Sequence, residues 1–291
     1  MIVIILDRSE GRTTWVLAMF ENDSMKAMIL AAGRGERMGD LTLERPKPLL
    51  EVAGVSLIEH QIRRLKRAGF HDIVVNLAWL GDQIVECLGD GSGLGVKIDY
   101  SFEPEGALDT GGGIRRALAL LGDGDFVVIN ADVWTDYPFE RLRSDAGKGD
   151  AFIVLVDNPS HHPHGDFGFL PDAMSASGKS VPTAPVSEGE DGQRAEGQKA
   201  DRIVHGRVVE MGEDERLTFS GIGRYSPRLF APKQEEIFPL SMVLRDAIRK
   251  GTVHAEHYRG EWADIGTPER LAAIDRKVRR EIASGSRSAV F

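Results

Sequence analysis

The sequence lacks the features of a secreted, membrane-bound or nucleic-acid-binding protein. Cys87 is the only cysteine among 291 residues. Neither an intrachain disulfide nor a cysteine-based metal site can form, and we expect a reduced, cytoplasmic protein. Acidic side chains outnumber basic ones by 45 to 36, and the net charge of -9 argues against partners such as nucleic acids and anionic membranes. The basic residues must therefore act locally.

Long hydrophobic runs are also missing from the N-terminus. The apolar run at residues 2–6 has no basic residue before it, and Asp7 and Glu10 soon interrupt it. It is too short for a membrane span and unlike a secretion signal. Because Met25 and Lys26 directly precede the first predicted strand, we expect residues 1–24 to be an extension, poorly ordered or loosely attached, outside the core.

Apolar strands alternate with amphipathic helices from residue 27 onward. Hydrophobic residues make up 42% of the chain, which is enough for the core of a large α/β domain. The alternation predicts a doubly wound, Rossmann-like parallel sheet. Ser56 and Glu59 have the spacing of a helix-capping box, and Gly69 can end that helix. The other predicted elements are strands at 27–31, 73–76, 96–100 and 126–130, and helices at 82–88 and 113–121.

The second half of the chain is richer in strands. Strands are predicted at residues 151–156, 166–170, 203–210 and 217–223, and two helices close the chain. This pattern predicts a mixed, mainly parallel sheet with a small strand-rich lobe for the substrate. The domain would span residues 25–285, followed by a tail at 286–291.

Residues 171–201 interrupt these strands with a stretch of Ser, Gly, Pro, Glu, Lys and Gln that has almost no large apolar side chains. Such a composition cannot bury enough surface to order itself. We therefore predict a disordered insertion within a hairpin. An active-site lid is the functional alternative, because long loops are sometimes functional.

A glycine-rich loop joined to two cations follows the first strand. Residues 33–37 are Gly-Arg-Gly-Glu-Arg, and residues 46–48 are Pro-Lys-Pro. Gly33 and Gly35 have no Cβ that would keep phosphate oxygens away from the loop amides. Arg37 and Lys47 add two full positive charges. The pattern predicts a binding site for a nucleoside triphosphate.

Two common nucleotide motifs are absent. No Gly-x-x-x-x-Gly-Lys-Ser/Thr run occurs, which excludes a Walker loop, and Met38 stands where a dinucleotide fingerprint has its third glycine. The strand at 73–76 ends in Asn76 rather than in an acid that would bind a ribose hydroxyl. A hydride-transfer enzyme is therefore disfavoured.

Two aspartates fit a metal site beside this loop. Asp132 follows the strand at 126–130, and Asp264 precedes a helix that Thr267 can cap and Pro268 can start. Magnesium commonly takes one or two carboxylates and completes its shell with water and phosphate oxygens. Each aspartate alone also fits a turn or capping role, so the prediction of Mg²⁺ depends on the neighbouring phosphate loop.

Two further motifs have competing interpretations. Residues 108–113, Leu-Asp-Thr-Gly-Gly-Gly, form either a flexible turn or a loop that approaches a base or ribose closely. His161, His162 and His164 suggest zinc, but no cysteine partner exists and Pro163 breaks the regular spacing. A polar loop above the substrate site is the preferred interpretation of the histidines.

Taken together, these motifs resemble those of the sugar-1-phosphate nucleotidyltransferases over about residues 25–282. The resemblance implies a GT-A-like fold and a Mg²⁺-dependent transfer of a nucleotidyl group to a sugar 1-phosphate, with release of pyrophosphate. It implies catalytic roles for Arg37, Lys47 and Asp132, and metal binding by Asp132 and Asp264. The implied nucleotide contacts are Ala32, Gly33, Gly35, Glu36, Arg37, Lys47, Glu103, Thr110, Gly111 and Gly112.

Within that family, the chain most resembles the branch that transfers uridylyl groups from UTP to N-acetylmuramate 1-phosphate in peptidoglycan recycling. Segments 156–159, 165–167, 217–223 and 257–260 carry this resemblance, which implies sugar contacts from Asn158 and Gly165. Many relatives have an acid-lysine-proline sequence where residues 208–211, Val-Val-Glu-Met, have no lysine. A mannose- or glucose-1-phosphate nucleotidyltransferase that uses GTP or another triphosphate is the main alternative. A non-catalytic nucleotide-sugar sensor is the alternative of another class.

Overall fold

The computed structural model describes residues 25–104, 108–144, 149–172, 203–210, 212, 216–231 and 236–285, and the backbone of two N-terminal strands. The strands, in chain order, are β1 Ile2–Asp7, β2 Thr14–Met19, β3 Ala27–Leu30, β4 Glu51–Val52, β5 Val55–Ser56, β6 Asp72–Leu77, β7 Lys97–Phe102, β8 Phe126–Asn130, β9 Val133–Thr135, β10 Ala151–Val156, β11 Phe167–Pro171, β12 Ile203–Val209, β13 Arg216–Tyr225, β14 Val253–Tyr258 and β15 Trp262–Asp264. The α-helices are α1 Leu57–Arg67, α2 Gly81–Leu88, α3 Asp109–Leu121, α4 Arg141–Ser144, α5 Leu240–Arg249 and α6 Pro268–Ala283.

A nine-stranded mixed sheet forms the centre of the molecule, in the order β10-β14-β12-β11-β13-β8-β3-β6-β7. Strands β8, β3, β6 and β7 pair in parallel, as the alternation of strands and helices predicts. The side chains of β3, β6 and β8 are almost wholly buried, which is typical of a parallel sheet covered on both faces, whereas those of the edge strand β7 are only partly buried. The predicted α/β fold is confirmed.

The strands of the expected substrate lobe extend this same sheet. Strand β13 pairs antiparallel with β8 on one side, and it also pairs with both β10 and β11. Strands β10, β14, β12 and β11 continue from there, so that the pairings return to β13 and form a closed ring of five strands. The sequence analysis did not predict β9, β14 or β15.

Helix α1 shows how local sequence sets an element. Ser56 Oγ accepts a hydrogen bond from the Glu59 amide at 3.3 Å, as the capping pattern predicts. The Glu59 carboxylate accepts from Arg63 instead of returning to the cap. Gly69, with φ of 84°, ends the helix in a conformation that favours glycine.

Helix α3 differs from the prediction because it begins at Asp109 rather than at residue 113. The glycine-rich run is therefore the first turn of a helix and not a loop. Glycine is a poor helix former, and the run is tolerated because its three glycines pack closely against other segments.

Two predicted segments fall largely outside the described residues. The tail at 286–291 does so completely, and only Pro171 and Asp172 of the insertion at 171–201 are described. Pro171 ends β11 and pairs with Gly206 of β12, so the two strands that flank the insertion are neighbours. In the N-terminal extension, β1 and β2 form a two-stranded sheet. The separation of residues 1–24 from the core stays a prediction.

Two large apolar clusters cover the two faces of the sheet, and a third, smaller cluster contains Met38, Trp134, Ile265 and Val278. This third cluster joins α6 to the loop after β3 and to β9. In the described part of the chain, none of the helices combines the length and apolar character that a membrane span requires.

Candidate active site

The carboxyl ends of β3, β6, β7 and β8 open into a single cleft of about 1260 Å³. Ligands of open α/β sheets bind at this edge. Nine of the predicted site residues line the cleft, and Gly111, Gly112 and Asp264 do not. The nine are Ala32, Gly33, Gly35, Glu36, Arg37, Lys47, Glu103, Thr110 and Asp132.

The two glycines of the phosphate loop have different structural roles. Gly35 has φ of 68°, and a Cβ added to it would lie 3.1 Å from the Cβ of Lys47. The Thr42 hydroxyl donates to the Gly35 carbonyl at 3.1 Å and fixes this turn. A Cβ added to Gly33 would meet nothing within 4 Å. Gly35 is therefore required by the fold, whereas Gly33 leaves room in the cleft itself.

Asn76 ties the phosphate loop to the neighbouring strand ends. Its Oδ1 accepts from the Ala31 amide at 2.8 Å, and its Nδ2 donates to Glu103 Oε1 at 2.6 Å. Glu103 Oε2 accepts from the Leu108 amide at 2.8 Å. Both carboxylate oxygens of Glu103 thus accept hydrogen bonds from other groups of the protein. The sequence analysis used Asn76 only against a dinucleotide site and missed this role, although an amide at a buried strand end was the available signal.

Gly111 and Gly112 pack against the segment 236–238, whereas the sequence analysis considered an approach to a base or ribose. Their amides donate to the Phe238 carbonyl at 2.9 and 3.1 Å, and a Cβ on Gly112 would lie 2.2 Å from the Glu236 carbonyl oxygen. The missing side chains thus allow the chain at 236–238 to pack on α3. Thr110 does line the cleft.

Lys47 and Asp132 form an ion pair at the floor of the cleft, with side chains 12% and 24% exposed. Asp132 lies between β8 and β9, and its carbonyl accepts from the Ile265 amide at 2.8 Å. Strand β9 pairs with β15, which places Asp264 opposite Val133. Asp132 directly precedes Val133, so the two predicted metal aspartates lie at the same end of this small antiparallel ladder.

Asp264 contacts Arg270, which the sequence analysis did not assign to the site, and His161, which it placed in a polar loop above the substrate. Its Oδ1 accepts a hydrogen bond from Arg270 and lies 2.9 Å from His161 Nε2. Arg270 Nη1 is also 2.9 Å from His161 Nε2. The sequence offered one indication of a role for Arg270. A basic residue in the first turn of a helix interacts unfavourably with the helix dipole, so a functional contact is a reason to look for.

The donor set formed by Asp132 and Asp264 fits a hard divalent cation such as Mg²⁺, since both supply carboxylate oxygens beside a loop suited to phosphate. In the described ranges, no group of three or more His, Cys, Asp or Glu side chains is arranged to hold a metal ion. Oxygens of a substrate or of water would have to complete the shell.

Asn158 and Gly165 lie outside the cleft lining and shape the loop between β10 and β11. Asn158 Nδ2 donates to the Arg216 carbonyl at 2.9 Å, and its Oδ1 accepts from Thr218 at 2.8 Å. Gly165 has φ of 58°, and a Cβ there would lie 2.7 Å from Asn158 Oδ1. A sugar contact by either residue stays a prediction.

The rim of the cleft carries aromatic surface. The Arg34 guanidinium lies 4.5 Å from the centre of the Trp79 ring, and Trp79 Nε1 donates to the Thr42 carbonyl at 3.0 Å. Phe102, also in the lining, is 53% exposed. This side of the cleft offers flat, apolar surface next to cationic charge.

Comparison with known proteins gives one family. The chain matches the nucleotidyl transferase family over residues 26–175. It is 44% identical over 252 residues to N-acetylmuramate alpha-1-phosphate uridylyltransferase of Neisseria meningitidis serogroup B, covering 85% of this chain and 95% of that protein. The protein of the same name from Caulobacter vibrioides is 31% identical over 87% of this chain and 96% of its own length.

More distant proteins share part of the sequence or the fold. A mannose-1-phosphate guanyltransferase of Emericella nidulans is 31% identical over an aligned region that covers 84% of this chain and 62% of that protein. A putative glucose-1-phosphate thymidylyltransferase from Bacillus anthracis superposes with a TM-score of 0.64 at 19% identity, over 88% of this chain and 95% of that one. At that identity the likeness supports the fold alone.

Proposed function

The chain belongs to the nucleotidyl transferase family, and we propose from this premise that it transfers a uridylyl group from UTP to N-acetylmuramate 1-phosphate. The products are pyrophosphate and a UDP-sugar. The identity of 44% along nearly the whole length of an N-acetylmuramate alpha-1-phosphate uridylyltransferase supports this pair of substrates. The observation that carries the proposal is the convergence of the phosphate loop, Lys47 and Asp132 in one cleft. We propose peptidoglycan recycling in the cytoplasm as the setting.

The donor triphosphate would bind along the loop after β3. The backbone amides of Ala32, Gly33, Gly35 and Glu36 would donate hydrogen bonds to the phosphate oxygens as a nest of donors, and Arg37 would add positive charge. The base would lie toward Thr110 and the aromatic rim, where Trp79 and Phe102 offer rings on which it can stack. In this arrangement Glu103, Gly111 and Gly112 act indirectly, by holding the strand ends and α3 in place.

The reaction needs alignment and charge more than it needs a protein nucleophile. A phosphate oxygen of the sugar 1-phosphate attacks the α-phosphorus of UTP in line, the bond between that phosphorus and its bridging oxygen breaks, and pyrophosphate leaves with the electron pair. The attacking oxygen is already anionic, so no base is required. Lys47 and Arg37 would offset the negative charge that otherwise separates the two substrates. Mg²⁺ held by Asp132 and Asp264 would supply Lewis-acid stabilisation of the phosphate oxygens.

A panel of substrate pairs tests this function. Pyrophosphate release by the purified protein would be measured with magnesium, for UTP, GTP, CTP, ATP and dTTP against the 1-phosphates of N-acetylmuramate, N-acetylglucosamine, glucose and mannose. We expect release with UTP and N-acetylmuramate 1-phosphate. Activity only with another pair, such as GTP and mannose 1-phosphate, would keep the enzyme class and replace the substrates. Nucleotide-sugar binding without release for any pair would instead identify a sensor.

A further inference from the structure

Charged groups from two distant segments of the chain, the phosphate loop and residues 264–270, meet around Gly266. A Cβ added to this glycine would lie 2.7 Å from Arg270 Nη2, 2.9 Å from Asp264 Oδ2 and 3.1 Å from Arg37 Nη2. Gly266 itself lines the cleft. The missing side chain thus leaves a small space with two guanidinium groups and one carboxylate around it.

Guanidinium groups are in the majority among the charged groups nearest to Gly266. Arg37 and Arg270 bring two positive charges, and Asp264 brings one negative charge. His161 lies beside Arg270 and Asp264 and adds no negative charge. Around the space left by Gly266, the two guanidinium groups therefore outnumber the single carboxylate. An excess of this kind, built from planar guanidinium groups, suits an oxyanion such as a phosphate.

The corner also joins two loops. Arg37 belongs to the phosphate loop after β3, whereas His161 belongs to the loop between β10 and β11, where Asn158 and Gly165 are also found. Arg270 stands between them, on the first turn of α6. A cation at this position can serve the second substrate's phosphate while Arg37 serves the donor.

We propose that Arg270 binds the phosphate of the acceptor sugar, assisted by His161, and so determines the affinity for the acceptor. This inference rests on the proposed function and deepens it. It assigns the acceptor phosphate to a residue outside the segment 208–211, which has no lysine. The planar fork of the arginine would make two parallel hydrogen bonds to the phosphate, which a lysine cannot reproduce.

Steady-state kinetics of Arg270→Gln and Arg270→Lys would test the proposal. We expect Arg270→Gln to raise the KM for N-acetylmuramate 1-phosphate by about 10- to 100-fold, the effect of losing charge-assisted hydrogen bonds. The KM for UTP should change by less than about 2-fold. Arg270→Lys should lie between the wild type and Arg270→Gln. Calorimetric titration of the acceptor into protein saturated with a non-hydrolysable UTP analogue should show the same loss.

Arg280→Gln is the matched control, because Arg280 lies on the same helix and its Nε donates to the Arg276 carbonyl. It should leave both KM values unchanged. An unchanged KM for the acceptor in Arg270→Gln would overturn the inference. If the KM for the acceptor stays normal while the magnesium requirement or the KM for UTP rises, the inference is also overturned, because Arg270 would then position Asp264 or bind the donor. A wild-type protein silent with every substrate pair would instead overturn the proposed function.

Discussion

Lys47 and Asp132 contact each other across the floor of the cleft, where both remain partly exposed. Water still reaches both groups, which limits what their attraction adds to stability. We therefore expect Lys47→Ala and Asp132→Ala to lower turnover by about 100-fold or more and to change the free energy of unfolding far less. Pyrophosphate release and chemical unfolding of each variant would measure the two effects separately.

Lys97→Ala supplies the control for this pair. Lys97 also pairs with an aspartate, Asp99 at 2.8 Å, but its side chain is 64% exposed. Neither residue is in the cleft lining. Turnover should stay at the wild-type level in this variant. Near-wild-type turnover in Lys47→Ala or Asp132→Ala would refute the assignment of these two residues to the chemistry.

The two glycines of the phosphate loop should respond differently to alanine. Gly35→Ala forces a side chain onto a backbone with φ of 68° and against Lys47, so we expect a loss of about 1–3 kcal/mol of unfolding free energy. Gly33→Ala meets open space and should leave that free energy within about 0.5 kcal/mol. Its methyl group should instead raise the KM for UTP. Equal destabilisation by both substitutions would contradict this distinction.

At the scale of elements, helix α6 is attached to the turn between β4 and β5 through Asp275. Its Oδ1 accepts from the Ala53 amide at 2.7 Å, and its carboxylate pairs with Arg279. Burial by itself raises the pKa of Asp275, but the hydrogen bonds from Arg279 and Ala53 outweigh it and hold the pKa below the usual 3.8. The ionised carboxylate thus stabilises the docked helix.

This attachment gives the stability a defined pH dependence. Because the folded-state pKa lies below that of the unfolded chain, the contribution is fully present above about pH 3.8 and is lost as the pH falls through the folded-state value. Asp275→Asn should therefore unfold more easily than the wild type at pH 7. The difference should shrink below pH 3.8. Denaturant unfolding of both proteins between pH 7 and pH 3 would test this, and a difference that grows on acidification would exclude it.

Element boundaries show where local sequence is sufficient. Helix α1 begins at its predicted cap because Ser56 and Glu59 interact within one turn. Helix α3 begins earlier than predicted because its glycines pack on the segment 236–238, far away in sequence. Helix propensity alone disfavours such a start, so only the contact with that distant segment reveals it.

At the scale of the whole molecule, the insertion at 171–201 falls between β11 and β12, two strands of the ring that pair with each other. Pro171 pairs with Gly206, so a short connection suffices to join β11 to β12. We expect replacement of residues 173–202 by about four Gly and Ser residues, a usual hairpin-loop length, to preserve the fold, the turnover and both KM values. Circular dichroism and pyrophosphate release would measure the outcome. A folded protein with much lower turnover would favour the active-site lid instead.

The sequence by itself determined the family, the α/β fold and the position of the phosphate loop. These depend on short-range patterns: an apolar strand, a glycine-rich turn and cations a few residues later. Asp132 and Asp264 were also found in this way, each at the end of a strand or the start of a helix. The Asp132→Ala variant tests the role predicted for the first of them.

Only the tertiary structure decided which groups meet. Asn76 meets Glu103, which lies 27 residues later in the chain, and His161 meets Arg270, which lies 109 residues later. Strand β15 pairs with β9 because the chain returns to the cleft after the ring of strands is complete. Short-range patterns contain no information about such pairings, since they depend on the packing of the whole sheet.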